Sequence, residues 1–191
     1  MTDPRPPASP APGQGPNEGR TLADTVNLIA HALVTYVGAG EVAALRRLTP
    51  DRPGVPAFYR VAARFLEPAG SLAGEGPARD LQEKRWACIL NGLALLGGFH
   101  RPGQALGEAL AEAGFSELRL VRLLGAQGPC LWDAVRGVAR YLAAKGRPAD
   151  WSEAAALVLG EEAAWGDAVR RRIARRYYSV TMNSQEGETT S

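Results

Sequence analysis

Apolar residues recur at three- and four-residue steps along most of the chain, and no alternating β-branched run bounded by turn signals interrupts them. That pattern predicts an all-α protein. A first helix fits residues 22–36, with Leu22, Val26, Ile29, Leu33 and Tyr36 on one stripe, Thr21 as N-cap, and Gly38 and Gly40 closing it. A short second helix covers 41–48. Pro50, Pro53 and Pro56 then force a turn, and Pro56 suits the first position of a third helix over 56–66 that buries Phe58, Val61, Ala62 and Phe65. Pro68 stops it. After the Gly-rich segment 69–77, a long fourth helix over 79–96 is apolar nearly all round from Trp86 onward, as a central core helix should be.

Gly97-Gly98 and Arg101-Pro102-Gly103 separate this half from a second, in which residues 106–113, 116–124, 131–144, 151–159 and 161–178 are helical in turn. Ser116 is placed to cap one of these helices, and Gly114, Gly125 and Gly146 to stop others. On the last helix Val169, Ile173 and Tyr177 share one face, Arg171 and Arg175 fall on the opposite one, and Arg172 and Arg176 flank it. The expected architecture is a two-lobed bundle of about eight to nine helices, with lobes at 21–98 and 99–181. Residues 1–20, rich in Pro, Gly and Ala, and residues 182–191 lack the apolar side chains needed to offset ordering, so disordered termini are expected.

With 191 residues, burial alone suffices for one core of ordinary size or two lobes sharing one. Cys88 and Cys130 lack CxxC spacing, and no apolar stretch resembling a secretion signal begins the chain, which together favour a reducing cytoplasm. The longest apolar stretch, 87–99, is broken by Asn91 and three glycines and is too short and polar to cross a bilayer, so no membrane association is expected. Net charge is only +2, yet outside residues 20–181 lie Asp3, Glu18, Glu186 and Glu188 with Arg5 as the single basic residue, so the folded part is more basic than the whole. Lys84 and Lys145 are the only lysines. Arginine forks onto phosphates and stacks on bases, which lysine does not.

Catalytic patterns are missing from the sequence. His31, read as a partly buried core residue, and His100, read as a locally bonded turn residue, show no metal-ligand spacing with Cys88 or Cys130, so no metal or other cofactor is expected. GxSxG, a Cys-His pairing and GxxxxGK[ST] do not occur. The carboxylates Glu108, Glu112, Glu117, Glu161, Glu162 and Asp167 fit exposed faces or N-terminal turns, where the helix dipole favours anions. The arginines stand apart because they recur at helical spacing: Arg46 with Arg47, Arg60 with Arg64, Arg119 with Arg122, Arg136 with Arg140, and the run from Arg170 to Arg176. Arg60 and Arg64 read as solvated surface. The Arg46-Arg47 and 171–176 groups read as functional, because like charges at such spacing repel and no acidic residue interleaves them.

The order of these segments resembles the CasB family, the small subunit of the type I-E CRISPR surveillance complex called Cascade. The resemblance covers about residues 33–178. It rests on Ala44-Leu45-Arg46-Arg47, Pro56-Ala57-Phe58-Tyr59-Arg60, the helix beginning Trp86-Ala87, and Pro102-Gly103 before Leu106-Gly107-Glu108-Ala109-Leu110. It continues with Ser116-Glu117-Leu118-Arg119-Leu120 ahead of Leu123-Leu124, and with Ile173-Ala174-Arg175-Arg176-Tyr177-Tyr178. No single motif is specific; their order and spacing are.

The resemblance implies a helical protein without enzymatic activity, working beside other Cascade subunits and their guide RNA. It implies two stacked copies whose shared basic surface holds the displaced non-target DNA strand and stabilises the R-loop. Arg46, Arg47, Arg119, Arg175 and Arg176 are the matching positions, while Arg122, Arg136, Arg171 and Arg172 join them on the face argument alone. The long Pro-rich arm and the glycines of the 95–103 segment depart from the family pattern. Two other readings compete: a helical scaffold that contacts only protein, and a helix-turn-helix reader, the weaker because 116–146 lacks the tight turn and small polar recognition helix of that motif.

Overall fold

A computed structural model of the protein describes residues 20–189, with side chains to residue 183. Its helices are α1 (Leu22–Thr35), α2 (Ala39–Arg46), α3 (Pro56–Val61), α4 (Gly76–Leu96), α5 (Leu106–Glu112), α6 (Glu117–Gly125), α7 (Gly128–Lys145), α8 (Trp151–Leu159) and α9 (Gly166–Thr189). Among the described residues there is no strand, only isolated bridges joining Thr49 to Arg52 and His100 to Ala149. The all-α expectation holds. Apart from Arg20, the expected arm 1–20 lies outside the described residues, as do 190 and 191.

Helix ends show where pattern and structure part. Thr21 caps α1 as expected: its hydroxyl accepts the Asp24 N–H at 3.1 Å while the Asp24 carboxylate accepts the Thr21 N–H, also at 3.1 Å. Gly38 precedes α2, so Gly40, assigned by the pattern to the end of α1, lies inside α2 instead. Tyr36, expected on the buried stripe, caps α1 and is half exposed. The third helix widens after Val61 into a π turn over Ala62–Leu66, where the Glu67 N–H reaches the Ala62 carbonyl. α4 and α7 begin three residues earlier than periodicity suggests. Pro77 and Pro129 read as loop, yet each sits in a first helical turn, where a missing N–H costs nothing. α9 starts at Gly166, since 161–165 forms a turn, and it continues past Tyr178 to Thr189, through most of the tail expected at 182–191.

α4 runs through the centre, buried almost continuously from Arg85 to Leu96, with α7, α8 and α2 packed around it. The buried side chains form one cluster from Val26 to Tyr177, so the halves on either side of Gly97-Gly98 share a core, and α1 packs on α8 across that line. Two glycines permit the closest crossings. A Cβ on Gly92 of α4 would lie 2.1 Å from Trp151 Cζ2, and one on Gly107 of α5 would lie 2.2 Å from the Ile173 carbonyl oxygen of α9. Trp151 is locked further by its indole N–H, which donates to the Ile89 carbonyl at 3.1 Å. No helix among the described residues is long and apolar enough to cross a membrane.

Candidate nucleic-acid interface

The C-terminal end of α2 is held by side chains from two other helices. Asn91 of α4, almost fully buried, donates to the Leu45 carbonyl at 2.9 Å and the Arg46 carbonyl at 3.0 Å, and Arg136 of α7 donates to the Leu48 carbonyl at 3.1 Å. These donors satisfy carbonyls that a helix end leaves without partners. Arg46 returns the favour, its Nε donating to the Ala94 carbonyl near the end of α4 at 2.9 Å. Arg46, Arg47 and Arg136 thereby meet at one place. They are not equivalent: among the described residues, Arg136 is half buried with its Nε enclosed and unpartnered, Arg46 spends one N–H on the scaffold, and Arg47 is exposed with no ion pair. Arg140, one turn beyond Arg136, is also exposed and, among the described residues, unpaired. Its spacing from Arg136 in the sequence is the signal that places it beside that residue.

On α6, Arg119 and Arg122 are both exposed. The Arg119 guanidinium lies 5.7 Å from the Tyr141 ring centroid and 6.0 Å from that of Phe115, the outer limit of a cation–π contact, and Arg122 has no ion pair among the described residues. Ser116 occupies the N-cap position, though its side chain makes no capping bond.

α9 sorts its arginines by angle around the helix. Val169, Ile173 and Tyr177 are buried against the core, as the face argument requires, and the Tyr177 hydroxyl donates to the Phe115 carbonyl at 2.5 Å. Arg172 donates to Glu153 of α8 at 2.9 Å and Arg176 to Glu108 of α5 at 3.0 Å. Arg171 and Arg175 point away from the core, exposed and without ion pairs among the described residues. The lack of interleaved acids along α9 is therefore misleading for Arg172 and Arg176, whose counter-charges arrive from neighbouring helices. Arg170 serves structure, donating to the Leu124 carbonyl at 3.0 Å.

The carboxylates are not idle surface either. Glu112 pairs with Arg147, Glu117 accepts the Tyr178 hydroxyl, Glu161 accepts the Gly128 N–H at the start of α7, and Asp167 pairs with Arg170. Glu162 meets Arg85, a buried arginine of α4, at 2.7 Å. Arg60 pairs with Glu41, and Arg64 lies over the Tyr36 ring, 4.6 Å from its centroid.

Both histidines depart from expectation. His31 is exposed, because it lies off the packed stripe of α1. His100 bonds at long range rather than locally: its Nε2 is 2.7 Å from Asn27 Oδ1 of α1, and its Nδ1 accepts the Trp151 N–H of α8 at 3.0 Å. Burial holds its pKa below the usual histidine value, with Asp150 opposing the shift. Cys88 is enclosed and its thiol is pushed up to about 12 by burial, whereas Cys130 is exposed. Among the described residues no three His, Cys, Asp or Glu side chains gather as metal ligands would.

Helices around a single core, with arginines mounted on α2, α6, α7 and α9, define an all-helical protein with basic surfaces. The family model for the CRISPR-associated protein Cse2 matches residues 41–178, and the chain belongs to that family. Two solved structures share the fold. One is a chain of the E. coli Cascade crystal structure bound to a PAM-containing dsDNA target, with TM-score 0.61 and 23% identity over 82% of this chain and 96% of that one. The other is CasB from Thermobifida fusca, with TM-score 0.59 and 18% identity over 82% and 94% of the two chains. No curated protein sequence matches the chain.

Proposed function

We propose that this chain is the non-catalytic small subunit of a type I-E CRISPR surveillance complex and that its arginines hold the displaced non-target DNA strand. Family membership supports the setting, beside other Cascade subunits, their guide RNA and a second copy of this chain in the cytoplasm. One observation carries the assignment: Arg47 at the cap of α2, Arg122, Arg171 and Arg175 are exposed with no carboxylate partner among the described residues, while Arg60, Arg172 and Arg176 are neutralised within the chain.

A displaced strand needs charge neutralisation along its backbone and no base-edge readout, which unpaired arginines supply. Arg119 adds a fifth exposed guanidinium, and Arg46, Arg136, Arg172 and Arg176 contribute the N–H groups that their internal bonds leave over. R-loop formation exchanges one duplex for another of similar stability, so a few such contacts shift its balance. Titration of the full chain with random-sequence single-stranded DNA at increasing salt tests this reading. Affinity falls on a log-log slope of about −0.7 per phosphate contacted; a flat response overturns it.

A second reading has its own observation. Leu118 and Val121, one turn apart on α6, are 60% and 55% exposed and form an apolar strip suited to a neighbouring protein. A scaffold of that kind joins the complex and binds no strand in the same titration.

A further inference from the structure

Between α6 and α7 lies an open groove of about 280 Å³ whose floor is apolar, from Leu123, Ala134 and Val138, and whose end is closed by Phe115 and Tyr141. The two rings meet edge to face with centroids 5.1 Å apart, and the Tyr141 hydroxyl donates to the Ala113 carbonyl at 2.9 Å, so the aromatic wall is fixed. Arg119 and Arg122 stand on its α6 rim. We propose that this groove receives a base of the bound single strand while Arg119 and Arg122 hold the adjoining phosphates.

Gly137 is the independent pointer. It sits in the middle of α7, where glycine weakens a helix relative to alanine. Gly92 and Gly107 are also inside helices, but Trp151 and the α9 backbone leave them no room for a Cβ, and Gly40, which has open space, stands in the first turn of α2 and not mid-helix. Nothing within 4 Å of Gly137 imposes that restriction, and Gly137 lines the groove. Within the chain alone the glycine is a cost without a return; a group entering from outside supplies the return, because a large side chain at 137 would occupy the open space beside it. The groove falls just below the roughly 300–1,000 Å³ of pockets for drug-sized ligands, which suits a single base. Its chemistry matches a nucleotide in both parts: apolar and aromatic walls accept the ring, and the cationic rim accepts the anion beside it. An apolar side chain of a neighbouring protein would use the floor and leave both guanidiniums without a counter-charge.

This inference rests on the proposed strand binding, and a paired measurement separates the two. Full-length chain and its Gly137→Leu variant are titrated with fluorescent oligothymidine and with an abasic strand of equal length. Gly137→Leu weakens oligothymidine binding about tenfold, the effect of losing one stacked base. Its affinity for the abasic strand and its salt slope stay at the wild-type values. If Gly137→Leu does not fold, Gly137→Ala, an ordinary helix substitution that meets no neighbour, gives a smaller loss in the same direction. Equal loss on both strands, or no loss on either, overturns the base pocket while leaving strand binding intact. Unchanged binding of both strands together with failure to enter the complex assigns the groove to a protein side chain. Wild-type chain that binds neither strand overturns the proposed function itself.

Discussion

The backbone N–H of Trp151 donates to Nδ1 of His100, so the proton of a neutral ring sits on Nε2 and is given to Asn27 Oδ1. One imidazole thereby ties the first turn of α8 to the middle of α1, across the glycine break that divides the chain. A proton on Nδ1 would face another N–H and break the tie. Burial already depresses the pKa. The sign follows: as pH falls below about 6.5 the unfolded chain takes up the proton first, so stability is full above that value and declines toward the depressed native pKa. Melting temperature measured from pH 8 to pH 5 is expected to fall through this window. In His100→Gln the decline is shallower; equal pH dependence in both proteins contradicts the assignment.

The two cysteines differ in reactivity for the same reason of burial. Cys130 is exposed at the start of α7, while Cys88 is enclosed, its Sγ 3.7 Å from the Trp132 carbonyl and its thiolate disfavoured. Alkylation of native protein at pH 8 followed by mass spectrometry should label Cys130 alone, and both after denaturation. Rapid native labelling of Cys88 would show that the α4–α7 contact opens readily.

The α4–α8 crossing depends on a missing side chain. Gly92→Ala places a methyl inside the Trp151 ring, which is fixed by its indole hydrogen bond to Ile89. Overpacking of this kind costs about 1–3 kcal/mol, to be read from denaturant unfolding. A Gly92→Ala protein as stable as the parent would mean that α8 can shift without penalty.

Periodicity made the helices legible because it depends only on which side chains avoid water, and the packed stripe of Val26, Ile29 and Leu33 and the core run from Trp86 came through in this way. The starts of α4 and α7 did not, since Pro77 and Pro129 look alike in a loop and in a first turn. For the candidate interface, sequence showed which arginines leave the core but not what meets them. Glu153 and Glu108 lie 19 and 68 residues from Arg172 and Arg176, and nothing local to α9 announces either contact. The role of His100 is hidden for the same reason: its partners, Asn27 and Trp151, are distant in sequence. The groove at Gly137 requires α6 and α7 to be in place before an unexplained glycine becomes visible.

Ion pairing separates the α9 arginines into two kinds with different consequences for substitution. Arg172→Ala/Arg176→Ala breaks two pairs in which half-exposed arginines meet better-covered carboxylates, each worth about 1 kcal/mol, and lowers the unfolding midpoint. Arg171→Ala/Arg175→Ala breaks none and leaves it within about 0.5 kcal/mol. Chemical denaturation of both double variants checks the contrast, and a larger loss in Arg171→Ala/Arg175→Ala would reveal a structural role for these residues.

The most direct measurement is the lifetime of the R-loop formed by the assembled complex carrying Arg47→Ala/Arg171→Ala/Arg175→Ala in this subunit. Truncating these exposed side chains opens no cavity and breaks no ion pair among the described residues, so assembly and guide loading should proceed as in the parent. Each lost arginine removes a phosphate contact, so displaced strand should re-anneal sooner, with the difference shrinking at high salt as counterions replace the protein. A shortened, salt-sensitive lifetime with normal assembly is the predicted result. An unchanged lifetime in a fully assembled complex would contradict the account and place the displaced strand on some other surface.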